Sequence, residues 1–178
     1  MEFFSIVGMA LSFALTLFGA AFLLFEIYTV IIGHWMGAPF VKSAKKKIYS
    51  MLALAAIKSG ETVVDLGSGD GTLIIEAAKM GAAATGVEIN PFLIWLSRVR
   101  IRRAGLENRA TILRKDFRTH PLGNTDVVFA YLWPSTLQHL KEKFERELAP
   151  GARVISNAFP IEGWTPIIES DGVYLYHK

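Results

Sequence analysis

The sequence predicts an α/β fold, a mostly parallel sheet with an antiparallel closing strand, preceded by one N-terminal transmembrane helix. Three observations carry this prediction. Phe3–Phe25 is 23 residues without a charge. From residue 62 onward, short β-branched runs alternate with stretches of helical apolar spacing, the mark of a parallel sheet. Between the first such run and the first such helix lies a glycine loop, Asp65-Leu66-Gly67-Ser68-Gly69-Asp70-Gly71. The chain therefore divides into an anchor (1–36), a linker with a juxtamembrane basic helix (37–60) and a catalytic-sized α/β domain (61–178).

The elements follow in order. At about 1.5 Å per residue, the uncharged run gives roughly 35 Å of helix, enough for a bilayer. Glu26 interrupts it, and Ile27–Ile32 continues apolar. Tyr28 and Trp35 suit the headgroup level. A signal peptide needs a basic leader and a shorter apolar core, whereas Glu2 is the one early side-chain charge here. Lys42, Lys45, Lys46 and Lys47 follow the span and no basic side chain precedes it. The positive-inside rule then puts the N-terminus outside and the domain on the cytoplasmic face of a single-pass membrane protein. The lysines either place charge against anionic lipid, at about 1 kcal/mol each near the surface, or form a solvated helix face with no lipid role.

Gly37-Ala38-Pro39 breaks the pattern. Lys42–Lys58 reads as a helix with Ile48, Met51, Leu52 and Ala55 as its stripe, placed to cover the start of the sheet. Val63–Leu66 is the first strand, and Thr72–Met80 the helix after the loop. Ala83–Ile89 is the second strand. Asn90 caps a helix with Pro91 at its first position, and Gly105 closes it after Ala104. In that helix Trp95 falls on the apolar side, as core. Arg98, Arg100, Arg102 and Arg103 read as a solvated face. Ala110–Lys115 and Asp126–Leu132 are the third and fourth strands, Ser135–Leu148 a helix, and Arg153–Ala158 the fifth strand. Thr165–Ser170 and Val173–His177, joined at Asp171-Gly172, form a closing hairpin.

Composition excludes several chemistries. With no cysteine there is no disulfide framework and no thiolate metal site. The four histidines are scattered without ligand spacing, so no metal is expected and they are assigned to structure. A net charge of +3 is too small to argue for nucleic acid.

The loop carries the chemistry. Gly67, Gly69 and Gly71 can take positive φ and bring backbone N–H groups close to a ligand. A dinucleotide fingerprint spaces its glycines differently, and a phosphate loop ends in Gly-Lys-Ser/Thr. Here Asp65 precedes the first glycine by two residues and no lysine follows. Acid in the loop repels phosphate and suits a ribose with an amino-acid ammonium group, the outline of S-adenosylmethionine. The loop resembles motif I of class I S-adenosylmethionine-dependent methyltransferases, a Rossmann-like fold. Glu88, 21 residues after Gly67, ends the second strand in Gly86-Val87-Glu88-Ile89-Asn90 and can accept both ribose hydroxyls. Asp116 ends the third strand and can take the adenine amino group, with Phe117 flanking the base; the alternative is a plain turn cap. Asp65 either fixes the loop or contacts the methionine end through water. Asp70 reaches the ammonium or the loop amides. Ser68 lies between the glycines.

After the fourth strand comes Ala130-Tyr131-Leu132-Trp133-Pro134-Ser135. In the resembled fold this tip faces the transferable methyl. Methyltransferases of adenine or glutamine amides often carry Asn-Pro-Pro-Tyr there, and this chain lacks the Asn. The face of Trp133 suits an amine with an alkyl stem, such as lysine. Pro134 fixes the turn, Ser135 caps the following helix, and Tyr131 or a backbone carbonyl near Trp133 would accept the proton.

Taken together these segments resemble the membrane-tethered protein-lysine methyltransferases of mitochondria and their prokaryotic relatives. The mitochondrial members methylate the adenine nucleotide carrier and the c-subunit of ATP synthase. The resemblance rests on the apolar span, Gly37-Ala38-Pro39-Phe40, the loop, Glu88-Ile89-Asn90-Pro91 and Trp133-Pro134-Ser135. It continues through Gly151–Ser156, Phe159-Pro160 and Trp164. It implies a lysine N-methyltransferase using S-adenosylmethionine, with the lipid bilayer and a membrane protein bearing an accessible lysine as partners. No arginine-rich presequence precedes the span, which points to a prokaryotic plasma membrane. The family's sheet order is 3-2-1-4-5-7-6, but little chain separates the fifth strand from the hairpin, so a helix common there is not expected and the closing strands do not follow from the resemblance. Two other readings remain open: a lipid-headgroup or small-molecule amine methyltransferase, and a non-catalytic membrane-anchored binder of S-adenosylmethionine.

Overall fold

A computed structural model describes residues 2–36 and 45–178. The Gly37–Phe40 break and Lys42 lie outside the described residues, as does the side chain of Trp35. Helix α1 (Glu2–Met36) contains one segment, Val7–Tyr28, long and apolar enough to cross a membrane, and none of it is buried against the rest of the chain.

Helix α2 (Lys45–Ala55) is followed by β1 (Thr62–Leu66), α3 (Thr72–Lys79), β2 (Ala83–Glu88), α4 (Pro91–Arg103) and β3 (Ala110–Arg114). Then come β4 (Val127–Ala130), α5 (Pro134–Glu147), β5 (Arg153–Asn157), β6 (Ile168–Ser170) and β7 (Val173–His177). The seven strands form one sheet in the order β3-β2-β1-β4-β5-β7-β6. Strands β1 to β5 run parallel, and β7 is antiparallel to both neighbours. The hairpin turns at Asp171-Gly172, both at positive φ, which matches the twist of the strands it joins.

The order usual for the resembled fold is thus present without a helix between β5 and β6 among the described residues. A short loop covers that part of the sheet instead. Ile161 is buried, Phe159 and Trp164 pack on the same cluster, the Ile161 N–H donates to Tyr176 Oη at 3.0 Å, and Trp164 Nε1 donates to Glu145 Oε1 at 3.0 Å. Three aromatic and aliphatic side chains shield the sheet where a helix would, so the shorter chain suffices.

The sheet is a middle layer. Helices α2, α3 and α4 cover one face through Ile48, Met51, Leu52, Ile74, Ile94 and Ile101, and α5 covers the other through Leu137, Leu140 and Phe144. Helix α2 packs on β5 and β7 rather than on the start of the sheet. Its C-terminus is held at the amino edge, where Arg153 Nη1 donates to Ala55 O and to Ala56 O and its Nη2 pairs with Glu61 at 2.6 Å. Its first turn reaches the carboxyl edge, where Lys46 pairs with Asp171 at 2.8 Å. Trp95 is not core. On α4 the buried stripe is Leu93, Ile94, Ser97 and Ile101, and Trp95 lies on the opposite side, exposed and 6.0 Å from the Phe92 ring.

Candidate functional site

The parallel strands end in a row of loops at the carboxyl edge, the place where open α/β sheets bind ligands. The loop after β1 turns through positive φ at Gly67, Gly69 and Gly71. A side chain at Gly71 would add strain and put Cβ 2.9 Å from Ser97 Cβ. Side chains from α4 hold the loop from below. Ser97 Oγ lies 2.9 Å from Gly69 O and 2.8 Å from Leu93 O. Arg100 Nη1 donates to Asp70 O at 2.8 Å and to Thr72 Oγ1 at 2.9 Å, and pairs with Asp70 Oδ2 at 2.7 Å. Arg100 is therefore a loop support and not part of a solvated face. Asp70 spends its carboxylate on this guanidinium and on the Thr72 amide and hydroxyl, which leaves the loop-amide half of its expected role.

Glu88 is buried at the tip of β2 and is tied into the same loop. Its Oε2 accepts from the Gly69 N–H at 2.9 Å, and its Oε1 accepts from Ile89 N–H at 2.7 Å and Asn90 N–H at 2.8 Å. Three backbone donors hold one carboxylate in a single orientation. Asn90 caps α4 as expected, accepting from Phe92 and Leu93 amides. The glycine loop and the Glu88–Asn90 segment thus form one bonded unit. At Gly86 a Cβ would meet Ser68 Oγ at 2.5 Å, so the missing side chain makes room for the loop. The Ser68 Oγ itself is buried without a partner.

Asp65 differs from these. It is buried, and no hydrogen bond to it from another described residue is present. It does not fix the loop. Burial, then the neighbouring Glu88 and Asp70 carboxylates, push its pKa up to about 7. An isolated acid in this position is costly unless a ligand supplies positive charge or a donor.

Asp116 caps a 3₁₀ turn, Phe117–Thr119, through the Arg118 amide, and its carboxylate pairs with the Arg118 guanidinium at 2.7 Å. The turn-cap reading is realised, and Phe117 is largely buried beneath it. At the tip of β4, Trp133 is exposed and stacks on Phe159, with centroids 6.2 Å apart and planes at 23°. Pro134 is the first residue of α5, and Ser135 does not cap it: the capping position is Trp133 and no side chain bonds there. The Ser135 carbonyl oxygen lies 2.6 Å from His139 Nδ1.

Nothing in the sequence pattern singles out Asn157, yet it ends β5 in this same row. It is 3 % exposed and its Oδ1 has no partner. Register pairs Ala130 with Ser156, so Asn157 lies level with Tyr131, which follows β4. By strand alternation Asp65, Tyr131 and Asn157 share the face of the sheet lined by Phe129 and Ile155. They sit on three adjacent strands, β1, β4 and β5. An asparagine inside Val154-Ile155-Ser156-Asn157 looks like an ordinary strand end, and the register is what gives it neighbours.

Known proteins of similar sequence and structure agree with this geometry. Residues 65–168 match the ANTKMT methyltransferase domain. A protein-lysine N-methyltransferase of Saccharolobus islandicus is 38% identical over 148 residues, covering 78% of this chain and 92% of that one. The human ATP synthase c-subunit lysine N-methyltransferase is 38% identical over 128 residues, covering 72% of this chain. The chain spans about half the length of that human relative, 54%. A crystal structure of an RNA methyltransferase from Salinibacter ruber in complex with S-adenosyl-L-homocysteine superposes with a TM-score of 0.74 at 32% identity, covering 77% of this chain and 93% of that one. A class I methyltransferase sheet, a bonded glycine loop with its acid at the β2 tip and a matched domain covering more than half of the residues place this chain in the ANTKMT methyltransferase-domain family.

Proposed function

We propose that this protein is an S-adenosylmethionine-dependent N-methyltransferase that methylates lysine side chains of membrane-associated proteins. The observation that carries the cofactor is Asp65: a buried acid without a protein partner, beside a glycine loop where the carboxylates of Asp70 and Glu88 are already bonded. Such an acid fits the ammonium end of S-adenosylmethionine and does not fit a phosphate. Glu88, fixed by three amides, would present its remaining acceptor capacity to the ribose hydroxyls. Asp116 and Phe117 would border the adenine. S-adenosylmethionine, when bound, supplies a sulfonium-borne methyl that passes to an amine nitrogen as the sulfur leaves as a neutral thioether.

The chain's own residues do the rest. Trp133, stacked on Phe159, offers an aromatic wall for a lysine stem and its cationic head. The amine must lose a proton before it attacks, since free lysine has a pKa of about 10.4. Tyr131 Oη or a carbonyl of the Trp133 turn would accept a hydrogen bond from the ammonium and orient it as its proton passes to solvent water, which the half-exposed Trp133 borders. Asn157 Oδ1, buried and unpaired beside Tyr131, would accept an amine N–H and aim the nitrogen lone pair. Positioning of this kind can account for about 7–11 kcal/mol of a barrier.

The membrane part of the reading rests on α1, whose Val7–Tyr28 segment can span a bilayer. With lysines after the span, the catalytic domain faces the cytoplasm and the N-terminus lies outside, in a prokaryotic plasma membrane. The relatives at 38% identity are lysine methyltransferases. An RNA substrate is the second reading, favoured by the likeness to the Salinibacter RNA methyltransferase.

One experiment separates them. Labelled S-adenosylmethionine is supplied to native membranes containing the chain, with a Glu88→Ala chain as control, and label is counted in protein, lipid and RNA. Mass spectrometry then locates the methylated residues. Label on protein lysines supports the proposal. Label confined to RNA or lipid replaces it, and equal label with the Glu88→Ala chain removes the cofactor assignment.

A further inference from the structure

Exposed aromatic side chains in residues 45–178 are not scattered. They are Tyr49 (61 % exposed), Phe92 (47 %), Trp95 (59 %) and Trp133 (50 %). All four stand at the carboxyl edge of the sheet. Phe92 and Trp95 are in the first turns of α4, which leaves the tip of β2, and Trp133 caps α5, which leaves the tip of β4. Tyr49 lies near the start of α2, whose first turn is held at this edge by the Lys46–Asp171 pair. The opposite edge carries no exposed aromatic side chain among the described residues, and Met80, at the end of α3, is exposed there.

The anchor arrives at the same edge. Eight residues separate the end of α1 at Met36 from the start of α2 at Lys45, a reach of at most about 30 Å. Within α1, the Phe25 ring meets the Phe92 ring edge-on, with centroids 5.7 Å apart, and Trp95 continues the row. Beside this rim α2 opens on exposed Lys45 and Lys46, whereas the exposed Arg102 and Arg103 end α4 at the opposite edge.

We propose that this aromatic rim is a membrane-docking surface: Tyr49, Phe92 and Trp95 lie in the headgroup layer, basic side chains meet anionic lipid phosphates, and the mouth beside Trp133 opens towards the bilayer. The proposal rests on the anchoring reading above and deepens it. The tyrosine hydroxyl and the tryptophan N–H favour the headgroup layer, the Phe92 ring adds apolar area, and lysine beside them adds electrostatic attraction. Continuity with α1 selects a bilayer over a soluble partner, because the row of rings runs from the apolar helix onto α4 without a gap. The consequence is a depth filter. A lysine can reach the site only where its protein emerges from the bilayer, whatever sequence surrounds it.

The chain has no cysteine, so single labels are easily placed. The full chain is reconstituted in nanodiscs of phosphatidylcholine and phosphatidylglycerol with one nitroxide at Leu15→Cys, Tyr49→Cys, Trp95→Cys or Met80→Cys. Collision with dissolved oxygen and with a water-soluble nickel complex reports depth. We expect hydrocarbon at position 15, the headgroup layer at 49 and 95, and water at 80. A chain with position 15 in lipid but 49 and 95 as wet as 80 overturns the docking surface and leaves the anchor intact. Position 15 in water removes both. Labels at 49 and 95 shielded only after a substrate protein is added show a protein contact, and also overturn it. As a second measurement, Phe92→Ser with Trp95→Ser should slow methylation of a nanodisc-embedded lysine several-fold while S-adenosylmethionine affinity and the rate on a soluble lysine peptide stay unchanged. Equal loss on both substrates, or no loss on either, counts against docking.

Discussion

The two halves of the site differ in how their polar groups are used. On the β1–β2 side, Glu88, Asp70, Asn90, Ser97 and Arg100 bond to one another and to the loop backbone. On the β4–β5 side, the side chains of Tyr131 and Asn157 have no bonded partner among the described residues and Trp133 is open to solvent. The first half has its shape before any ligand arrives, whereas the second has donors and acceptors waiting for one. The contrast suits a cofactor that is always the same and a substrate that must arrive and leave. Asp65 and the unpartnered Ser68 Oγ are the exceptions on the cofactor side, and Asp65 marks where that side too needs a charge from outside.

The most damaging change to the pre-bonded half is Glu88→Ala. It frees the amides of Gly69, Ile89 and Asn90 and removes the acceptor of the ribose. Two hydrogen bonds to a charged acceptor, at about 1.5–3 kcal/mol each, correspond to at least about a hundredfold loss of affinity. Calorimetry with S-adenosylmethionine checks this. Undiminished affinity would mean that the bonded unit is a fold device alone, and the contrast between the halves would lose its meaning.

Asn157→Ala probes the other half. Loss of one hydrogen bond that orients the amine costs about 1–3 kcal/mol, or roughly tenfold to a hundredfold in kcat/KM, with cofactor affinity unchanged. Thermal stability should not fall, because the deleted oxygen has no partner in the folded chain. A drop in melting temperature with normal kinetics would assign Asn157 to structure.

How much of this was legible in the sequence depends on what kind of constraint each residue obeys. The glycine loop and Asn90-Pro91 report themselves because backbone conformation restricts the residue type: positive φ asks for glycine, and a helix start asks for a cap. The strand and helix order followed from periodicity for the same reason. Trp95 was less legible. Helix α4 has apolar residues on two sides, and composition alone does not say which side meets the sheet; the buried stripe of Leu93, Ile94, Ser97 and Ile101 decides it. Arg100 looked like its neighbours Arg98, Arg102 and Arg103, and only the fold brings it to Asp70, 30 residues away. Asn157 depends on register across two strands, which no local pattern encodes.

The Asp65 exception can be sharpened by pH. Its carboxyl has a pKa raised from 3.8 to about 7 by burial and by Glu88 and Asp70. Between those values the unfolded chain releases this proton and the folded chain keeps it. The folded state therefore holds more protons, and this group's contribution to stability falls as pH rises from about 4 to about 7, then levels off. Binding of an ammonium group favours the ionised acid, so cofactor affinity should rise with pH by about tenfold per unit below about 7 and flatten above. Asp65→Asn should abolish both slopes and raise the melting temperature at pH 8, where the wild-type chain buries a charge. Calorimetric affinity and thermal melts at pH 5.5, 6.5 and 8 decide it; a wild-type affinity that does not vary with pH would take Asp65 away from the cofactor.

The smallest effect is expected at Asp116, on the border of the pre-bonded half. Its Oδ1 accepts from the Arg118 amide at 2.9 Å and from Nε at 3.0 Å, and its Oδ2 pairs with Nη2 at 2.7 Å. That pairing holds its carboxyl below its ordinary pKa although burial acts in the opposite direction. A carboxylate so occupied can still offer one lone pair to an adenine amino group, a neutral donor. Such a bond is worth about 0.5–1.5 kcal/mol, which is roughly two- to tenfold in affinity. Asp116→Asn keeps an oxygen to cap the turn and weakens only the pairing with Arg118, so affinity should stay within that range of wild type. Asp116→Ala loses the cap as well and should add a modest fall in melting temperature, about 1 kcal/mol for a lost cap. If Asp116→Asn instead matched the Glu88→Ala loss, the adenine end would be as dependent on one side chain as the ribose end. The bonded half would then extend one strand further than the hydrogen bonds of the free chain indicate.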